Sequence, residues 1–310
     1  MIFLLVVAAL AALGFAFARL APERVTALGL AAERHLAGLS LRTARVGQFD
    51  MPYLDGGRGE PLLLVHGFGG DKDNFTRIAR FLTPHFRVII PDLPGFGEAT
   101  RDPGATYSMS DQVARLHAFL EQLDIHACHL GGNSMGGFIS AQYAATWPLA
   151  VKSLWLLDPA GTLASHSSDM LKHYEKTGLN PLLVTKVDAF DGTIAATTYK
   201  APFLPRFART TLGRRAVADF ELHTRIMRQM QDSPLLENSY GALETPALIV
   251  WGEHDKILSP QGAQSFAALF PNSQVVIMKG IGHLPMAEAP RQTAVDYMAF
   301  MRQRGLTVRE

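Results

Sequence analysis

The pentapeptide Gly132-Asn133-Ser134-Met135-Gly136 constrains the fold more than any other stretch of this chain. It follows an apolar-leaning run, His126 to Leu130, and precedes a helix-like run, Phe138 to Trp147. Strand, sharp turn and helix in that order put a serine at the turn, in strained backbone with its hydroxyl exposed. The glycines on either side, Gly132 and Gly136, keep side chains clear of the bend.

The flanking sequence repeats the same alternation. Arg42 to Tyr53 patterns as a strand, with Asp55-Gly56-Gly57 as a hairpin turn. Pro61 to Val65 and Arg87 to Ile90 are short continuous apolar runs, as buried parallel strands require. Asn74 to Leu82 reads as a helix capped by Asn74, and Asp111 to Leu123 has apolar residues at helical spacing. Val151 to Leu157, Ala247 to Trp251 and Gln274 to Met278 are further strands. The predicted fold class is therefore α/β, an open, mostly parallel sheet with helices on both faces. Residues 160–240 break the alternation. They hold helix-like pieces interrupted by Gly178, Pro181, Gly192, Pro202, Pro205 and Gly213, and about 80 residues is too long for a plain loop. A helical cap inserted between two sheet strands is expected there, leaving 41–159 and 241–310 as the core.

Residues 1–18 carry no charged side chain, and only Gly14 interrupts the apolar run. As a helix the run reaches roughly 27 Å, close to a bilayer's hydrocarbon thickness. Ala16-Phe17-Ala18 offers a signal-peptide cleavage pattern, but no Lys or Arg precedes the run. The expectation is a retained transmembrane anchor over 1–19 followed by an amphipathic juxtamembrane helix over 20–40. Arg19 and Arg24 after the run argue for a cytoplasmic catalytic domain by the positive-inside rule. The net charge of +1 gives no electrostatic case for a nucleic-acid partner. The single cysteine, Cys128, cannot form an intrachain disulfide or a cysteine-based zinc site. It sits in an apolar run and reads as inert core. Arg206, Arg209, Arg214 and Arg215 cluster in the cap, as a solvated face or a contact for anionic head groups.

A serine hydroxyl needs a base to take its proton, and the base needs an orienting group. On this architecture the chain order is Ser, then Asp or Glu, then His. Asp255 follows the strand ending at Trp251, and His283 follows the next strand, so both open onto the crevice that Ser134 faces. Asp158, also at a strand end, is the rival carboxylate. Asp255 is preferred because it precedes His283 by one strand–helix–strand unit. Backbone amides must meet the developing oxyanion. The Met135 amide follows the nucleophile, and the Phe68 amide lies in the loop His66-Gly67-Phe68-Gly69-Gly70 after the strand Pro61 to Val65. No G-x-x-x-x-G-K-[ST], well-placed G-x-G-x-x-G or H-E-x-x-H is present, so neither a nucleotide nor a zinc site is indicated.

These residues, with Pro91-Asp92-Leu93-Pro94-Gly95 and Trp251 to Asp255, resemble the α/β-hydrolase family over about residues 50–305. Within it the chain is most similar to the monoacylglycerol lipase-like group and its bacterial relatives, including single-pass, membrane-anchored lipases and phospholipases A. The stretch His66 to Phe75 and the N-terminal apolar helix carry that closer match. The resemblance implies an eight-stranded sheet, a helical lid, no metal or organic cofactor, and ester hydrolysis through an acyl-enzyme. It further implies acyl glycerolipids or fatty acids and the lipid bilayer as partners, and a homodimer through the N-terminal helices. The implied location is the bacterial inner membrane with a periplasmic catalytic domain. The expected function is a membrane-anchored lipase or phospholipase A. Alternatives are an esterase on soluble small esters, a carbon–carbon bond hydrolase and a catalytically silent lipid-binding membrane protein. Carbon–carbon bond hydrolases of aromatic degradation typically carry Trp after the catalytic His, where this chain has Leu284.

Overall fold

Period-two alternation in the apolar runs sorts their side chains onto two faces of one sheet. Leu63, Val65, Ile89 and Leu130 fall in one buried cluster, while Leu62, Leu64, Val88 and Ile90 fall in the other. Each such fully buried aliphatic side chain contributes about 1.5–3 kcal/mol. The computed structural model describes residues 19–306. Its strands are β1 (Leu39–Val46), β2 (Phe49–Gly57), β3 (Pro61–Val65), β4 (Arg87–Pro91), β5 (Cys128–Asn133), β6 (Val151–Leu157), β7 (Ala247–Gly252) and β8 (Ser273–Met278). They form one eight-stranded sheet in the order β1-β2-β4-β3-β5-β6-β7-β8. The first two pairings, β1 with β2 and β2 with β4, are antiparallel, and the remaining ones are parallel.

The helices used below are α1 (Pro22–Leu36), α2 (Met109–Gln122), α3 (Met135–Thr146), α4 (Asp169–Thr177), α5 (Phe190–Thr197), α6 (Arg206–Ala218), α7 (Phe220–Gln231), α8 (Gly262–Leu269) and α9 (Pro290–Gln303). Phe119 of α2, Phe138 of α3 and Phe266 of α8 enter the first cluster. Tyr297 and Phe300 of α9 enter the second, where Tyr297 stacks on Trp155 with ring centroids 4.2 Å apart. Helices α4 to α7 lie between β6 and β7 and form the cap insertion.

Several local expectations are corrected. The hairpin turn is at Gly47 and Gln48, where Gly47 has φ +56°. Gly56 and Gly57 instead lie inside β2, where backbone passes too close for a side chain. A Cβ at Gly56 would sit 2.0 Å from the Gly38 carbonyl oxygen. The segment after β3 begins as a 3-10 turn, Lys72–Phe75, capped by Asp71 rather than Asn74. Asn74 closes the capping box from within. In the cap, Gly178 ends α4 with φ +71°, as a breaker should. Gly213 lies within α6, where a Cβ would meet the Val187 carbonyl oxygen at 2.7 Å. There glycine allows close helix packing.

The N-terminal transmembrane anchor over 1–19 is also corrected. Among the described residues no helix is long and apolar enough to cross a membrane. The apolar run of residues 1–18 lies outside the described residues. The expectations built on the anchor fall with it: the bilayer as partner, the homodimer through N-terminal helices, and the inner-membrane location with a periplasmic domain. The helix expected over 20–40 is α1, and it is built into the fold. Thr26 Oγ1 donates to Thr211 Oγ1 of α6 at 3.3 Å, Glu23 pairs with Arg214, and Arg34 forms a two-pronged bond to Asp73 at 2.7 and 2.6 Å.

Candidate active site

Ser134 joins β5 to α3 with φ +56° and ψ −118°. A non-glycine residue in that region costs about 1–3 kcal/mol, so the surroundings must enforce it. Three backbone bonds do so. Ser134 N–H donates to the Leu157 carbonyl at 3.0 Å, and the Ser134 carbonyl accepts from Phe138 at 3.1 Å and Ala160 at 3.0 Å. The flanking glycines are sterically compulsory. A Cβ at Gly136 would sit 2.1 Å from the Val65 carbonyl oxygen, and one at Gly132 would sit 2.2 Å from that of Gly136.

His283 and Asp255 meet from the loops after β8 and β7. His283 Nδ1 lies 2.8 Å from Asp255 Oδ2, with both side chains buried. A carboxylate only accepts, so Nδ1 carries the proton and Nε2 keeps a lone pair. Asp255 Oδ1 also accepts from the Ile257 and Leu258 amides at 2.8 and 3.1 Å, and Oδ2 from Trp251 Nε1 at 3.2 Å. Ser134 and His283 line one cavity of about 440 Å³. Asn133 Nδ2 donates to the Leu157 and His283 carbonyls, both at 3.0 Å, so the residue before Ser134 braces the histidine loop. Among the described residues no hydrogen bond joins the Ser134 hydroxyl to His283, and resting sites commonly close that gap only around substrate.

The loop that carries Phe68 approaches the serine directly: a Cβ at Gly67 would lie 3.2 Å from Ser134 Cβ. Neither the Phe68 nor the Met135 amide has a hydrogen-bond acceptor among the described residues. His66 locks the loop. Its Nε2 accepts from the Leu93 amide at 3.0 Å, which leaves Nδ1 to donate to the Gly67 carbonyl at 2.8 Å. Burial pulls the His66 pKa down and keeps the ring neutral. The Phe68 ring packs edge-on against Phe96 and against His223 of α7.

Sequence reasoning missed the support beneath this loop. Lys72 is fully buried, with Nζ 2.8 Å from both Asp92 Oδ2 and Glu98 Oε2. Asp92 further accepts from the Lys72 and Glu98 amides at 2.7 and 2.8 Å. Burial lowers the Lys72 pKa, but the Asp92 charge and its hydrogen bonds outweigh it, so the net shift is upward. The signal was available in two charged residues inside glycine-rich loops at neighbouring strand ends, Lys72 after β3 and Asp92 after β4. Asn133 had its own signal, a polar residue ending an apolar strand.

Asp158 and Asp255 both reach the site. Oxygens of Asp158 and Asp255 and a ring nitrogen of His283 lie within 4.8 Å of one another. Those donor types suit a metal ion, but Asp255 Oδ2 and His283 Nδ1 are already spent on each other. Burial and the neighbouring Asp255 charge push the Asp158 pKa well above its ordinary value. Arginines of the cap also find internal partners: Arg209 pairs with Asp191 at 3.1 Å, Arg214 with Glu23, and Arg215 with Asp71 at 2.9 Å.

Cap side chains supply most of the apolar cavity wall, among them Leu182, Val184, Phe190, Ile194, Phe207 and Leu212. Helix α1 adds Leu30, and Asp71, Arg215 and His223 contribute polar wall. The site can thus take an apolar chain beside a serine, an imidazole base and free amides.

The sequence profile of the α/β-hydrolase fold matches residues 60–290. The chain is 40% identical over 276 residues to Lipase 1 of Psychrobacter immobilis, covering 86% of each protein. It is 39% identical over 247 residues to Lipase 3 of Moraxella sp. (strain TA144), covering 78% of this chain and 77% of that one. Among solved structures, that of a membrane phospholipase A, a novel bacterial virulence factor, superposes with a TM-score of 0.89 at 37% identity. That alignment covers 97% of this chain and 98% of the other.

Proposed function

The chain belongs to the α/β-hydrolase family, and from that premise we propose that Ser134, His283 and Asp255 are its catalytic triad, acting on acyl esters of glycerolipids. It is a serine hydrolase of carboxylic esters. Ser134 Oγ attacks the ester carbonyl carbon while His283 Nε2 takes its proton. Asp255 holds the ring by Nδ1 and stabilises the imidazolium. The Phe68 and Met135 amides receive the oxyanion, each worth about 3 kcal/mol of barrier. Collapse of the tetrahedral intermediate breaks the ester C–O bond, and the imidazolium protonates the departing alcohol. Water, deprotonated by His283, then attacks the acyl-enzyme and frees the fatty acid. The same reading divides the chain into a hydrolase core, 41–159 and 241–310, and a cap, 160–240, that receives the acyl chain.

One observation carries this reading. Ser134 stands on a strained elbow in an apolar-walled cavity that also exposes a histidine paired to a buried carboxylate. The wall favours a long acyl chain over a small polar ester. The relatives' names, two lipases and a phospholipase A, support the same class. The test is product analysis on mono-, di- and phosphoglycerolipids of graded chain length, with Ser134→Ala as control. Fatty-acid release should fall by about 10⁴-fold or more in that variant, and a fluorophosphonate probe should label wild type alone. Undiminished release from Ser134→Ala would refute the mechanism.

A further inference from the structure

Asp158 is the buried acidic group beside the triad that the mechanism above leaves unused. It follows β6 with φ +45°, a region where a non-glycine residue is strained. Its side chain has no exposure to solvent. Its amide donates to the Val250 carbonyl at 2.9 Å, and its Oδ1 accepts from the Gly252 amide at 2.8 Å. Oδ2 is buried and has no hydrogen-bond partner among the described residues. An ionised carboxylate left this way bears an uncompensated charge in the protein interior.

The neighbours decide which carboxyl keeps the proton. Asp255 has four donors: two amides, the Trp251 indole and His283 Nδ1. Asp158 has one. Two carboxyls this close in the protein interior do not both ionise. The proton therefore belongs on Asp158, where its O–H needs an acceptor, and Asp255 is within 4.8 Å. The other charged group acting on Asp158 is Glu288, also acidic, which favours the protonated form as well. Glu288 is itself held by the Gly282 and Lys200 amides at 3.0 and 2.8 Å.

We propose that Asp158 is a positioning residue: its carboxylic O–H donates to the Asp255 carboxylate and holds that carboxylate against the His283 ring. The idea rests on the triad assignment above. The bond fixes the rotamer of Asp255. It also draws off part of that carboxylate's charge, so less of it is available to stabilise imidazolium before substrate reacts. No group is consumed in this arrangement; the Asp158 proton stays on Asp158 through the cycle.

Two variants and one spectroscopic measurement test it. Asp158→Leu removes the donor, so the acidic limb of the kcat/KM profile should move up by about one pH unit. Its kcat should fall by about tenfold with KM little changed. Asp158→Asn restores a neutral donor at the same place. It should recover most of the lost rate and return the acidic limb to the wild-type position. An Asn limb displaced downward would mean that Asp158 is ionised in the wild type, and a Leu limb left in place would mean that it does not act on the triad. Either result overturns the proposal. The direct readout is the infrared carbonyl stretch of a protonated carboxylic acid in folded wild-type protein at neutral pH, absent from Asp158→Asn. Lack of that difference band overturns the proposal whatever the activities. A band that is present, with hydrolysis undiminished in Ser134→Ala, would instead fault the triad assignment.

Discussion

Ser134, Asp158 and Asp124 are the non-glycine residues with positive φ among the described residues, and two of the three, Ser134 and Asp158, belong to or adjoin the candidate site. Strain there is retained because neighbouring strands over-determine it. The protonated state of Asp158 has a consequence for stability. Its folded pKa lies above its ordinary 3.8, so the native state keeps a proton that the unfolded chain releases. By linkage its contribution is fully present below about pH 4 and is lost as pH rises toward the folded value. Asp158→Asn removes that loss. Calorimetry should show the variant melting above wild type near pH 7, with the gap closing as pH falls to about 4. A gap that stays constant with pH would argue against the assignment. Cys128, expected to be inert core, is buried in β5, and burial pushes its thiol up to about 12.

At the scale of elements, the loop after β3 is the part most exposed to failure. It carries the Phe68 amide, yet glycines give it little packing of its own. Its position comes from buried polar contacts: His66 bonded to the Leu93 amide, and Lys72 bonded to Asp92 and Glu98. Lys72→Met would leave Asp92 in the interior without its countercharge. The expected loss is about 3–5 kcal/mol of stability, measured by urea unfolding. Activity of the fraction still folded should fall mainly in kcat, because the Phe68 amide, the proposed oxyanion donor, loses its footing. Besides the Phe68 ring packed on His223 of α7, ion pairs link this segment to other helices. Arg34 of α1 grips Asp73, and Arg215 of α6 grips Asp71. Helix α1 is therefore part of the scaffold around the site. An amphipathic pattern with scattered charges could not distinguish a partner inside the protein from one outside it.

For the whole molecule, the cap insertion decides what enters. Ile194 and Phe190 of α5 face the cavity shared by Ser134 and His283. Enlarging one of them should shorten the acyl chain that fits. Ile194→Trp should lower kcat/KM for long-chain esters relative to short ones by on the order of tenfold or more, read by a chain-length series. An unchanged ratio would place the acyl chain elsewhere.

The sequence alone carried the sheet, the elbow serine and the candidate partners Asp255 and His283, because strand periodicity and turn chemistry are local properties of neighbouring residues. Val151 to Leu157 reads as a strand from its own composition and is one. The sequence could not locate the β1–β2 turn, since Asp55-Gly56-Gly57 has turn chemistry but serves close backbone approach to Gly38 and Phe86. Nor could it show that Lys72 is buried, that α1 packs on the cap, or that Asp158 and Asp255 share a site. Those facts belong to pairs far apart in the chain, and only the packed structure sets the distances on which their charge and solvation depend.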